Sequence, residues 1–198
     1  MYEFYEAPIN VLFNINTTGL SNSAAILQLA AKFKKSVFNA YVLPNRPIDP
    51  GAYAVNKFVC QDGQLFVDGM QKVPKPFYDA VADFLNFLSR LNGQVILVGH
   101  GAHNFHSYHL LKAVNAVGLL DNFRQICLGF VDTLPLFREL CPDAAGYRLE
   151  DLIDIFQVYV PNLNNSVNKC KALESVLVAS QVTHNEVVSK LLQLDNLI

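Results

Sequence analysis

Along the first third of the chain, apolar residues come in short runs separated by turn residues rather than at helical spacing. Residues 9–16 (INVLFNIN) form one such run, which stops at Thr17-Thr18-Gly19. Residues 24–31 (AAILQLAA) suit helix or strand by composition. The run is short, however, lies between turn signals and precedes the strand-like residues 37–43 (VFNAYVL), so the three together predict a meander. Pro44, Pro47 and Pro50 then break the chain. Asp62-Gly63, flanked by Phe58-Val59 and Leu65-Phe66-Val67, predicts a second small hairpin.

From Pro76 the period changes. Phe77, Val81, Phe84, Leu85, Leu88 and Leu91 recur at helical spacing, and Asn92-Gly93 closes that helix. Residues 95–98 (VILV) are a continuous apolar run, as expected of a strand buried on both faces. A helix is predicted over 104–117, a strand over 127–131, and helices over 133–140, 149–158, 166–180 and 186–194. Strands first, then helices alternating with strands, predict an α/β fold with a mixed sheet and helices on its faces. The 198 residues suit one domain, 1–198, with a core over about 9–180 and a C-terminal helical tail over about 181–198.

Composition narrows the function classes. Hydrophobic residues make up 52% of the chain and charged residues 16%, so most of it is packed rather than disordered. The net charge of −2 argues against a long nucleic-acid track, whose affinity comes from neutralising phosphates. Cys60, Cys127, Cys141 and Cys170 have no zinc-type spacing and read as free buried thiols. With no apolar run of about 18 residues and no leader pattern, the expectation is a soluble, intracellular protein without a membrane segment.

Five segments then carry a resemblance. VLFNINTTGLSNSAAILQLAA resembles the first motif of the DEDD-type 3′–5′ exonuclease superfamily, F-D-x-E-T-T-G-L followed by an isoleucine-rich strand. GAYAVNKF resembles the segment after that family's third strand. LVGHGAHNFHSYHLLKAV resembles the second motif, H-N-x-x-F-D-x-x-x-L behind an apolar strand. FVDTLPLFRELCPDAAGYRLEDLIDIFQV resembles the stretch after the fifth strand, and NLNNSVNKCKALESVL the third motif, H-x-x-x-x-D-x-x-A-L. Within the fourth segment, LPLFRELCPDAAGYRLEDL is similar to the exon 9-type exonuclease-like domain of promyelocytic leukaemia protein. The five segments occur in family order.

The resemblance implies a ribonuclease H-like fold with a five-stranded mixed sheet. In that family two divalent metals activate water and stabilise the leaving oxygen of a phosphodiester. Such hard cations need anionic oxygen ligands, which four carboxylates supply, and a histidine or tyrosine near the third motif is the general base. Carried over residue by residue, the first motif's acids fall on Asn14 and Asn16, the second's on His106 and the third's on Lys169. The third motif's histidine falls on Asn164. Asparagine brings no charge, and Lys169 puts an ammonium where a dication would sit. Like charges about 4 Å apart repel by about 4 kcal/mol at an effective dielectric of 20.

The implied reading is a catalytically inactive, DEDDh-like domain without metal or cofactor, acting as a protein-interaction module in a nuclear setting with an unidentified partner. One alternative is a nucleic-acid binder without cleavage, using Thr18, Gly19, His106 and Lys169, the last two pairing with phosphate. Another is an active nuclease whose ligands have moved, with Asp132 or Glu174 recruited. The histidines at His100, His103, His106 and His109 read as drift around a helix start, with zinc or copper binding as the lesser reading. Lys32, Lys34 and Lys35 read as a solvated strand end.

Overall fold

A computed structural model describes residues 7–197. The meander forms as the pattern requires: β1 (Ile9–Thr17) pairs antiparallel with β2 (Ile26–Phe33), and β2 with β3 (Ser36–Tyr41). Pro50 does more than interrupt the chain. It opens a helix, α1 (Pro50–Asn56), because proline at the first helical position forfeits no hydrogen bond. The hairpin gains a third strand, so that β4 (Phe58–Gln61), β5 (Gln64–Val67) and β6 (Met70–Lys72) make a small separate sheet.

After α2 (Phe77–Ser89) and β7 (Val95–Gly99), the expected helix begins as a π-helical turn, Ala102–His106, and continues as α3 (Ser107–Ala116). Next come α4 (Leu120–Ile126), β8 (Cys127–Asp132), α5 (Thr133–Leu140), α6 (Leu149–Ile155), α7 (Ser166–Ala179) and α8 (His184–Val188). The last segment departs from the helical tail expected over 186–194. Leu191–Gln193 is a strand, β9, paired antiparallel with β8.

The main sheet therefore has six strands rather than five, in the order β3-β2-β1-β7-β8-β9. The junctions β1–β7 and β7–β8 are parallel, and the rest are antiparallel. Gly129 makes room for the sixth strand: a Cβ there would lie 2.2 Å from the Leu192 carbonyl oxygen.

Both faces of the sheet are covered, and successive residues of a strand serve opposite faces. Phe13, Ile15, Leu97 and Phe130 join Phe84, Leu88, Leu110 and Phe123 in one core under α2, α3 and α4. Leu12, Ile96, Val98 and Val131 join Phe137, Leu152, Leu173 and Val176 in the other, under α5, α6 and α7. Among the described residues no helix is long and apolar enough to cross a membrane.

Candidate functional site

β1 and β7 stay paired only from Ile9 with Val95 to Leu12 with Val98. Beyond that register β1 runs on, while β7 ends at Gly99 and the chain turns through Gly101 into the π-helix. A crevice outside the carboxyl ends of parallel strands is where α/β sheets place their ligands. Here it is a cleft of about 430 Å³ lined by Asn14, Asn16, His106 and Lys169. The strand period explains the first two: residues 12, 14 and 16 share one face, and Leu12 belongs to the core beneath α7. Lys169, one turn into α7, meets them from the other side.

Asn16 is 4% exposed and fully engaged. Its Nδ2 donates to Gln28 Oε1 (3.1 Å) and to the Asn164 carbonyl (2.9 Å), and its Oδ1 accepts from Lys169 Nζ at 3.2 Å. Gln28, wholly buried on β2, carries the connection onward. Its Oε1 also accepts from the Ser166 amide (2.9 Å), and its Nε2 donates to Asn39 Oδ1 (2.7 Å) and Asn165 Oδ1 (3.1 Å). Asn165 caps α7 through Val167 N and donates to the Tyr41 hydroxyl. An amide network thus ties the start of α7 to β1, β2 and β3. Asn16 and Gln28 are its buried members, and each of their polar groups would cost about 1–3 kcal/mol if left unpaired.

His106 is 8% exposed, and its ring meets Phe13 and Phe105 edge-on. Burial, reinforced by the Lys169 charge, pushes its pKa down to about 3, so the ring is neutral. The Ile15 N–H donates to Nδ1 (3.4 Å), and the Asn14 amide lies 3.3 Å from Nε2. Burial also lowers the pKa of Lys169.

The other expected site residues are placed differently. The Asn164 side chain donates to Asp68 (3.0 Å), so only its backbone carbonyl serves the network. Thr18 is buried, with its hydroxyl accepting from Ala25 N (3.0 Å). Gly19 lines the cleft beside Asp49, whose carboxylate would meet any added Cβ. Both have the role of shaping the turn after β1.

Neither acid considered as a replacement ligand is available. Asp132 accepts from the Gly101, His103 and Leu134 amides (2.8, 3.2 and 2.9 Å), clamping the β7 turn and capping α5. Glu174 pairs with Lys32 at 2.5 Å. That pair also corrects the solvated reading of the lysine cluster at one position: Lys32 is buried, because β2 carries it under α7, whereas Lys34 and Lys35 are exposed at the strand end as expected. Among the thiols, Cys127 and Cys170 are buried as expected, whereas Cys60 is exposed on β4.

The histidine quartet does not converge. His100 donates to the Tyr147 carbonyl (2.5 Å) and accepts from Thr133 (2.9 Å), whereas His109 packs edge-on against Phe105 and lines a separate pocket on the α3 face. Among the described residues no group of three or more His, Cys, Asp or Glu is arranged to hold a metal. Two divalent cations do not fit the cleft: its polar lining is the amides of Asn14, Asn16 and Asn56, the Thr17 hydroxyl, the imidazoles of His100 and His106, the Arg148 guanidinium and the Lys169 ammonium, and Glu150 is its one carboxylate among the described residues.

Sequence reasoning missed Gln28, Asn39 and Asn165. Gln28 carried a usable signal, as the lone polar residue in the apolar run ILQLAA, where a strand buried on both faces demands a bonded partner.

A family model described as the Exuperantia RNAse H-like domain matches residues 9–159, ending before Asn164 and Lys169. The maternal protein exuperantia of Drosophila virilis is 28% identical over 159 residues, covering 74% of this chain and 33% of that protein. The PolC-type DNA polymerase III of Caldanaerobacter subterraneus subsp. tengcongensis is 29% identical over 175 residues, 85% of this chain and 11% of the polymerase. A solved structure of exonuclease I superposes with a TM-score of 0.71 at 13% identity, covering 92% of this chain and 43% of that one, which shows the shared fold. The chain thus spans about a third of the exuperantia relative and less than half of exonuclease I. It belongs to the Exuperantia RNAse H-like domain family, within the DEDD exonuclease-like superfamily.

Proposed function

We propose that this domain is a non-catalytic exonuclease fold that works as a protein-interaction module in an intracellular, nuclear setting. The observation that carries the proposal is the bond from Lys169 Nζ to Asn16 Oδ1. At the position where the resemblance puts a metal ligand, an ammonium is held by an amide that is itself committed to Gln28 and Asn164. Asn16 has its amide fully engaged, and a dication brought to it would meet a positive charge instead of carboxylates. A fold that keeps its shape without this chemistry has its surfaces left to offer, an inference by analogy from other scaffolds. The nucleic-acid alternative is weakened by the same geometry. His106 is neutral, so Lys169 is the one cation deep in the cleft among the described residues.

The test has two readouts. With magnesium or manganese, the domain is expected to leave end-labelled single- and double-stranded DNA and RNA uncut, and its melting temperature is expected not to rise. A native-state site filled to a hundred times its Kd would add about 2.7 kcal/mol, raising the melting temperature by roughly 5–10 °C. Chelator-sensitive shortening of the oligonucleotide, or such a rise abolished by the Asn14→Ala, Asn16→Ala double variant, overturns the proposal.

A further inference from the structure

Two hydrogen-bond donors in the cleft lack acceptors. Lys169 Nζ has three N–H bonds, and Asn16 Oδ1 takes one. No carboxylate lies within ion-pair distance of it among the described residues. The second donor follows from His106. The Ile15 amide can only donate, so Nδ1 is bare and Nε2 carries the hydrogen of the neutral ring. The Asn14 atom facing Nε2 must then be an acceptor, its amide oxygen. A half turn of the amide, which exchanges two ends of the same shape, puts it there. The other end of that amide is buried with no partner among the described residues, and after the half turn it is an NH₂.

An ammonium and an amide NH₂ in one cleft call for a ligand that only accepts. The rim adds a second demand. Leu20 is 86% exposed and Val55 58% exposed, and both line the cleft together with Phe105. The remaining charges of the cleft do not extend into a phosphate track: Arg148 is tied to Asp151 in the cap of α6, and Glu150 is acidic, a repulsion that grows with every further phosphate and is least for a ligand of single charge. One unpaired cation between apolar walls matches a single carboxylate flanked by apolar groups better than a run of phosphates.

Building on the non-catalytic reading of the same cleft, we propose that it is a carboxylate-binding site for a partner peptide. The glutamate or aspartate side chain of that peptide pairs with Lys169 and Asn14, and its apolar neighbours rest on Leu20 and Val55. Binding supplies the acceptors that the cleft lacks. It also gives the partly buried ammonium a counter-ion, which hydrogen bonds to charged groups reward more than neutral ones.

The experiment is a nuclear magnetic resonance titration of the full chain with acetyl-Leu-Glu-Leu-amide, the matched acetyl-Leu-Gln-Leu-amide and a short oligothymidylate. The glutamate peptide is expected to shift the Asn14 side-chain amide and the Ile15 amide in a saturable way. The glutamine peptide and the Lys169→Gln variant are each expected to bind at least about tenfold more weakly. Leu20→Ala, outside the network, provides a second variant that should weaken binding if Lys169→Gln proves poorly folded. Absence of shifts, equal binding of the glutamine peptide, or shifts at Asn14 with the oligothymidylate but not the peptide each overturn the carboxylate site. Those outcomes leave the non-catalytic reading standing, whereas cleavage of the oligothymidylate with manganese overturns that reading itself.

Discussion

Replacing Asn16 with aspartate changes one atom type at the centre of the amide network, and its effect follows from the distances. The wild-type Nδ2 donates at 3.1 Å to Gln28 Oε1 and at 2.9 Å to the Asn164 carbonyl. A carboxylate oxygen in that place turns two attractions into two oxygen–oxygen contacts. Gln28 keeps its bond from Ser166 N, but the Asn164 carbonyl loses its side-chain donor. These losses amount to about 1–3 kcal/mol each, and desolvating a carboxylate at a 4%-exposed position adds several kcal/mol. Against them stands the new attraction to Lys169 Nζ, whose present bond is 3.2 Å. At an effective dielectric of 20 that pair is worth about 5 kcal/mol before desolvation. The penalties win, by about 2–4 kcal/mol, which lowers the melting temperature by roughly 5–15 °C in a domain of this size. Circular-dichroism melts with chelator present measure it directly. An Asn16→Asp variant that melts at or above the wild type would refute the reasoning, since the two donated bonds would then contribute nothing.

Two further expectations concern other parts of the fold. His106 has its folded-state pKa depressed to about 3, below the ordinary 6.5, so the unfolded chain binds the proton more readily. Its contribution is complete above about pH 6.5 and is lost progressively towards pH 3. The melting temperature of a His106→Gln variant should therefore fall less steeply than the wild type's across that window, and parallel slopes would count against a neutral His106. Gly129→Ala pushes a methyl group to 2.2 Å from the Leu192 carbonyl and is expected to detach β9 at a loss of about 2 kcal/mol or more. Faster hydrogen exchange of the β8 amides facing β9 checks this, and unchanged protection would refute it.

The strands and helices with a clear period were legible in the sequence. The run 9–16 and the recurrence from Phe77 to Leu91 became β1 and α2 because one face or both had to be buried, and burial writes itself as periodicity. β9 is three residues long, too short to show alternation, and is placed by what Gly129 leaves open on its neighbour. The positions of Asn14, Asn16, His106 and Lys169 were legible as motif positions, and the fold brings all four to one cleft. Their bonding was not. Whether Lys169 faces an amide or a carboxylate depends on partners far apart in sequence, 153 residues in the case of Asn16. Asn164 shows the same limit, since its side chain goes to Asp68, 96 residues away in a turn that no periodicity describes.

The junction at Gln28 has a consequence for how the chain reaches its native state. One wholly buried side chain holds partners on the neighbouring strands β1 and β3 and at the start of α7, which lies far along the chain. The last of them is separated from it by 138 positions. None of these bonds is optional once the surrounding strands close, because an amide buried ahead of its partners is strongly disfavoured. Gln28 is thus expected to act as a checkpoint on assembly. The meander formed early in the chain stays provisional until α7 arrives from the far end, and a nascent chain released before that point would hold its central strands around an unfilled polar hole.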